Sequence, residues 1–278
     1  MNSSKGAVMA LGLVCLFAVP ACGGTSSESS ASPSPAAACP PNTKDAYAKA
    51  VLGDGAVAYY RLSDASGAKL CDASPRKNDG TYATSGLTYQ QPGALKGVSD
   101  TALTADGTVN PATSTGYVPV FGAVDFTLEA WFKTTSKLDQ MVVDIGQGGT
   151  GRIAGIGPST AKGGICGSLP DAVAFDTWDG YFTGDASSVG INVFDGAWHY
   201  LVGSYTQAGG GSVDLYLDGK LLATTKVSDQ PATSVVRIGY WVDTFCNSPF
   251  AGSIDEVAIY PTALTAAQVK AHYTAAGR

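Results

Sequence analysis

Two clusters set aromatic rings beside carboxylates. Asp176 and Trp178 fall two apart, on one face of a strand, with Tyr181 close behind. Tyr240, Trp241 and Asp243 stand together just before Phe245 and Cys246. Sugar rings present apolar C–H faces that pack on aromatics, and their hydroxyls need planar acceptors such as carboxylates. Both clusters are therefore candidate sugar sites; the competing reading is that most of these rings fill the core. Asp255 is a candidate of another kind. Strict alternation puts it on the face of Val257 and Ile259, the apolar side of its strand. An ionised carboxylate there is costly unless a cation or several donors satisfy it. Calcium takes about six to eight oxygen ligands, which suits the Asp/Asn/Gly-rich turn over 72–80 that holds Asp72 and Asp79. The alternative is that these aspartates cap the N–H groups of the turn. Acyl-transfer chemistry has less support. His199 lies mid-strand and His272 on a terminal helix, and no serine or cysteine nucleophile motif accompanies them. Gly146-Gln147-Gly148-Gly149-Thr150-Gly151 matches a dinucleotide pattern, but the glycine-rich stretch after it, 153–164, is not helical and offers no phosphate cradle.

The chain that must position these residues is 278 long, with 14% charged residues, 35 glycines and a net charge of −6. Of its 23 acidic residues only Glu28, Glu129 and Glu256 are glutamate. Asp-, Gly- and Tyr-rich composition favours strands and turns over helices. Seventeen basic residues, nowhere clustered, argue against a nucleic-acid partner, which demands a positive patch.

The first residues give the compartment. Lys5 and the apolar run over 7–19 read as a signal peptide, too short to span a bilayer. Val19-Pro20-Ala21-Cys22-Gly23 resembles the lipobox of bacterial lipoproteins, which implies cleavage of residues 1–21 and a lipid on Cys22. Cleavage after Ala21 without lipidation is the alternative. Gly23 resembles a signal for sorting to the outer membrane, so the expected location is the bacterial envelope, facing the periplasm or the exterior. Residues 22–38 are rich in Ser, Pro and Ala, cannot form a core, and read as a tether of roughly 25 Å root-mean-square length. Cys39, Cys71, Cys166 and Cys246 remain in an oxidising compartment, which implies two disulfides and admits three connectivities. Pairing 39 with 71 and 166 with 246 is preferred, because each bridge would staple a loop-rich region, worth roughly 3–4 kcal/mol.

From residue 39 to the end the pattern is that of one domain. A short helix is expected over 44–52. Phe126, Leu128, Ala130 and Phe132 alternate with Thr127, Glu129, Trp131 and Lys133, as a strand requires. Val213, Leu215 and Leu217 alternate likewise, and Asp218-Gly219 supplies a tight hairpin. Further strands are expected over 236–240 and 254–260. Thr265 and Gln268 form a capping box for a closing helix, with Leu264 positioned to staple onto Val269. Many short strands without strand–helix alternation predict an all-β antiparallel sandwich.

Six motifs in order resemble the laminin-G-like jelly-roll domains of the concanavalin A-like lectin/glucanase superfamily. They are Tyr59-Tyr60-Arg61-Leu62-Ser63-Asp64, Asp72-Ala73-Ser74 with Asn78-Asp79-Gly80-Thr81-Tyr82, Phe126-Thr127-Leu128-Glu129-Ala130-Trp131, Asp195-Gly196-Ala197-Trp198-His199-Tyr200, Leu215-Tyr216-Leu217-Asp218-Gly219-Lys220, and Phe250-Ala251-Gly252-Ser253-Ile254-Asp255-Glu256-Val257-Ala258-Ile259-Tyr260 with Ala263-Leu264-Thr265 after it. The resemblance implies a two-sheet jelly-roll sandwich, with a short helix at each end of the domain, used mostly for binding or adhesion. It also implies a structural calcium ion near the sheet edge, and it brings first and last strands together, so that Asp72, Asp79 and Asp255 could share that ion. Trp131 and Trp198 fall in sheet motifs and are assigned to packing. Glucanases of the superfamily place two glutamates around an aspartate at alternate positions of one strand; that motif is absent here, which disfavours hydrolysis. The expectation is an anchored module that binds a glycan without transforming it, with a protein partner as the alternative.

Overall fold

Alternating apolar residues give nearly every segment one face to bury, and a computed structural model shows where those faces go. It describes residues 39, 43–116, 124–146, 153–159, 171–177, 180–227, 235–240 and 249–278. In chain order these form α1 (Ala46–Gly53), β1 (Ala58–Tyr60), β2 (Lys69–Leu70), β3 (Gly80–Tyr82), β4 (Leu87–Pro92), β5 (Thr101–Asp106) and β6 (Ala112–Ser114). Next come β7 (Phe126–Lys133), β8 (Val143–Gly146), β9 (Ile153–Ser159), β10 (Ala172–Thr177) and β11 (Gly180–Asp185). The chain closes with β12 (His199–Thr206), β13 (Ser212–Leu217), β14 (Lys220–Lys226), β15 (Val236–Ile238), β16 (Ala251–Tyr260) and α2 (Ala266–Ala275). One sheet runs β14-β13-β12-β7-β16-β5-β4 with β1 also on β16, and the other runs β11-β10-β9-β8-β15-β6-β3-β2. Together they make the expected antiparallel jelly-roll sandwich with a helix near each end of the domain.

Phe126, Leu128, Ala130 and Phe132 on β7 meet Ile156 and Phe175 of the second sheet in the inter-sheet core. The opposite faces of the same strands carry Trp131, Tyr200 and Tyr260, which pack with Tyr47 and Val51 of α1 and Val269 of α2 in a second core. Local signals hold. Asp218 and Gly219 turn the β13–β14 hairpin with φ of 49° and 74°. Thr265 and Gln268 make the reciprocal bonds of the capping box, and Cys39 is disulfide-bonded to Cys71. Cys166 and Cys246 lie outside the described residues, as do 147–152, most of the glycine motif; the residues just beyond that motif form strand β9 rather than a helix. The first helix begins later than expected because Asp45 caps it, accepting from the Ala48 N–H at 2.8 Å. The strand expected over 236–240 ends at Ile238, where Gly239 takes a φ of 79°.

One face assignment needs correcting. Asp255 does not share the face of Val257 and Ile259. It stands opposite Trp131, and the register against β7 then slips before Ala258. Glu256 occupies the bulge with a φ of 51°. The extra residue reverses the alternation, so Ile254 and Val257 both point into the inter-sheet core while Asp255 points outward.

Glu129, fully buried on β7, ties both helices to this outward face. Its carboxylate accepts from Tyr47 at 2.5 Å and Tyr260 at 2.7 Å. His272 Nδ1 lies 3.1 Å away, and Nε2 of the same ring is 2.9 Å from Asp54. Burial alone would raise the Glu129 carboxyl, but the His272 charge and these hydrogen bonds hold it below its ordinary range. For His272 burial acts downward, and the Glu129 and Asp54 carboxylates outweigh it, bringing the imidazole from 6.5 up to about 9. The folded state therefore binds the proton more tightly than the unfolded chain. That contribution, on the order of 3 kcal/mol, is complete below the unfolded value and is lost as pH rises through about 9. Thermal denaturation should show Tm falling by several degrees from pH 7 to 9. In His272→Gln, Tm should be lower at pH 7 and flat across that interval; an equal fall in both proteins would remove His272 from the explanation.

Candidate functional site

In an antiparallel pair, residues directly opposite each other project to the same face. Val143, Ile145, Val173, Phe175, Val236 and Ile238 of the second sheet point into the core, so Asp144, Asp176 and Arg237 point outward. Register aligns them in one row. Asp176 stands opposite Tyr181 on one side and Gly155 on the other. Gly155 faces Asp144, Asp144 faces Arg237, and Arg237 faces Thr113. Arg237 Nη1 is 3.3 Å from each Asp144 oxygen, and Nη2 donates to the Gly146 carbonyl at 2.9 Å. The Thr113 hydroxyl lies 3.0 Å from that of the half-buried Tyr240. Asp144 is fully buried, and Asp176 and Arg237 are each 6% exposed. A buried ion pair on the outward face of a sheet is a rigid set of donors and acceptors, of the kind that orients a polar ligand. Gly155, between the two acids in register, adds no side chain of its own.

Of the residues proposed for sugar binding, Asp176 and Tyr240 belong to this face. Tyr181 is opposite Asp176 in register, with its side chain outside the described residues, and Trp178, Trp241 and Asp243 lie outside them altogether. The sequence reading missed Asp144 and Arg237. Their signal was present: Val143-Asp144-Ile145 and Val236-Arg237-Ile238 each set one charge between two core residues.

A second cluster lies on the outward side of the first sheet. Asp100, Asp255 and Glu256 bring carboxylate oxygens within 4.8 Å of one another. Arg61, just after β1, reaches across them: Nη2 is 2.7 Å from Glu256 and 3.1 Å from Asp100, while Nη1 is 2.8 Å from Asp45, the cap of α1. The Tyr59 hydroxyl donates to Glu256, and the Ala94 N–H donates to Asp255 at 2.8 Å. Burial, then the neighbouring charges of Asp100 and Glu256, push the Asp255 carboxyl well above its ordinary range. Burial and Asp100 raise Glu256 too, against the opposing pull of Arg61. Asp255 Oδ1 and Asp100 Oδ2 are buried with no hydrogen-bond donor among the described residues. Three carboxylates around one guanidinium, two of their oxygens orphaned, fit a hard cation.

Asp72 and Asp79 are elsewhere. Asp72 accepts from the N–H groups of Tyr59, Ser74 and Asn78 at 2.7–2.9 Å. Asp79 accepts from the Asp72 N–H and pairs with Lys69 at 2.9 Å. First and last strands do adjoin, but Tyr60 of β1 pairs with Val257 on one side and bridges to Asp72 on the other. The strand thus stands between Asp72 and β16.

Residues 104–270 match the laminin-G model of the concanavalin A-like lectin/glucanases superfamily. The chain belongs to this superfamily. Solved structures of similar shape include the receptor-binding domain of botulinum neurotoxin D, at 11% identity and a TM-score of 0.54 over 80% of this chain and 53% of that one. The serotype D ligand-binding domain in complex with N-acetylneuraminic acid also matches, at 11% identity and TM-score 0.54, covering 81% of this chain and 52% of that one. So does the type G receptor-binding domain, at 12% identity and TM-score 0.51, covering 79% and 51% respectively. The present chain spans about half the length of these structures, and at such identities the likeness concerns the jelly roll alone. No curated protein matches by sequence.

Proposed function

We propose that this concanavalin A-like domain is an envelope-anchored module that binds a glycan without transforming it. The outward row of the second sheet carries the reading: Asp176, Asp144 and Arg237 in register, with Tyr240 on Thr113 beside them. Carboxylates and a guanidinium held rigid by their pairing suit sugar hydroxyls, and the tyrosine supplies a ring to pack against. On the first sheet the outward face is packed instead by α1 and α2. Receptor- and ligand-binding domains of the same fold support a binding role. Glu129 and Glu256, the glutamates of this domain, are fully buried and bonded to tyrosine, histidine or arginine. Neither has the open setting of a glycosidase acid. On a glycan array the full chain should give saturable binding, weakened at least tenfold by Asp176→Ala and by Tyr240→Ala with circular dichroism unchanged. A silent array with a protein captured instead would sink the glycan reading.

Calcium is the cation proposed for Asp100, Asp255 and Glu256, because the donors are all oxygen and two of them lack partners. It would neutralise surplus charge beside Arg61 and hold β16 to the segment before β5. A chelator should lower Tm by several degrees, calcium should restore it, and Asp255→Asn should abolish the response. Identical melting curves with and without chelator would reject the site.

Anchoring is proposed through lipid on Cys22, with residues 22–38 holding the domain off the membrane of a bacterial envelope; the lipobox resemblance and the coreless composition of the tether support it. Cys22→Ser should move the protein from the membrane fraction to the soluble one. Retention in the membrane would count against the anchor.

A further inference from the structure

We infer that residues 276–278, just after α2, latch the loop between β4 and β5 over the cation cluster and set the rate at which its ion enters and leaves. This rests on the calcium reading of Asp100, Asp255 and Glu256 and adds the control of that site. The loop, residues 93–100, serves the cluster from both ends. Its last residue is Asp100, whose Oδ2 is one of the two orphaned oxygens. Near its start the Ala94 N–H donates to Asp255 at 2.8 Å. Gly93 lies against Asp100: a Cβ on Gly93 would fall 2.8 Å from Oδ2 and 2.9 Å from the Asp100 carbonyl oxygen. A side chain there would force the two ends of the loop apart. Asp255 and Glu256 are fully buried, and the Asp100 side chain is 3% exposed. An ion held by these three carboxylates is therefore closed off from water while the loop is seated.

What seats the loop is the segment after α2. Arg278 Nη2 donates to the Ala94 carbonyl at 2.8 Å, and the Lys96 N–H donates to the Ala276 carbonyl at 2.9 Å. The residue whose N–H holds Asp255 is thus itself held, through its carbonyl, by Arg278. The Arg278 guanidinium also lies over the Trp131 ring, 5.4 Å from its centroid. Trp131 stands opposite Asp255 in register and stacks on Tyr273 of α2. Gly277 joins the two contacts with a φ of 78°, and a Cβ there would come within 2.9 Å of the Lys96 side chain. Ala94 and Leu95 are buried in the second core, whereas residues 96–99 are exposed. The loop is a flap with a buried base and a solvated tip. Lifting it breaks the bonds to Asp255, Ala276 and Arg278 and draws Leu95 from the core, a local opening that leaves the sheets intact. The latch closes the flap with or without an ion, so loosening it speeds entry and exit alike and leaves affinity nearly unchanged.

Stopped-flow mixing of the calcium-loaded full chain with a fluorescent chelator reads the release rate, and equilibrium titration with calcium reads the affinity. Arg278→Ala should release calcium about tenfold faster or more, with affinity changed by about threefold at most. Arg278→Lys keeps a donor but loses the planar group over Trp131, and should fall between. Gly277→Ala, which crowds Lys96, should act like Arg278→Ala, and Lys270→Ala, on the exposed side of α2, should leave the rate as it is. In the unaltered chain calcium should slow hydrogen exchange at the Ala94 and Lys96 amides, a measurement that stands if a variant does not fold. Calcium released at the unaltered rate from both Arg278→Ala and Gly277→Ala, or amide exchange indifferent to bound calcium, would overturn the latch while leaving the cation site intact. A loss of affinity as large as the gain in rate would mark damage to the site itself and count against the latch. A chain that takes up no calcium would instead remove the site on which the latch rests.

Discussion

Glu129 lies in the middle of the first sheet, out of reach of water, and its carboxylate must be satisfied from within the protein. A buried charge without partners costs several kcal/mol, so the donors around it are structural requirements. They come from different elements: Tyr47 from α1, Tyr260 from β16 and His272 from α2. Asp54, just after α1, fixes the far side of the imidazole. Neither helix can leave the sheet without stranding a buried ionised group. The rings between them follow the same geometry, with Trp131 donating to the Tyr47 hydroxyl and stacked on Tyr273.

That requirement divides the work between the two sheets. With α1 and α2 committed to Glu129, the outward face of the first sheet becomes a second core. Among the described elements no helix covers the other sheet, whose outward positions carry Asp144, Asp176 and Arg237 in place of apolar side chains. Both faces hold buried charge, but they satisfy it differently. The first uses hydroxyls and an imidazole brought in by helices, whereas the second pairs a carboxylate with a guanidinium across adjacent strands. The first solution fastens elements together, and the second joins neighbouring strands of one sheet.

The bulge at Glu256 adds a third centre. One extra residue in β16 turns Asp255 out of the core and places it with Glu256 near Asp100. Arg61 links that cluster to Asp45, the cap of α1. The N-terminal helix is therefore held at both ends, by Arg61 through its cap and by His272 through Asp54. A cation beside Arg61 would bear on the same helix, since both would share the charge of Asp100 and Glu256.

Elements carried by local chemistry were legible in the sequence. The period-two alternation of β7 and β13, the Asp218-Gly219 hairpin and the Thr265–Gln268 capping box all depend on residues within a few positions of each other. The succession of six motifs identified the jelly roll, and the preferred 39–71 disulfide is present. Asp176 and Tyr240 were legible as polar and aromatic candidates, though not the row they join. Where the reading of Asp255 went astray, a bulge intervened: one inserted residue reverses every later side chain, and alternation counted along a single strand cannot register it. The sequence by itself thus determined the fold class, the strand faces away from the bulge and the turn chemistry. Tertiary structure alone decided that Asp144 and Arg237 fall in one row with Asp176, and that Asp100 rather than Asp72 meets Asp255. Those meetings depend on register between strands far apart in the chain, set by packing across the whole sandwich.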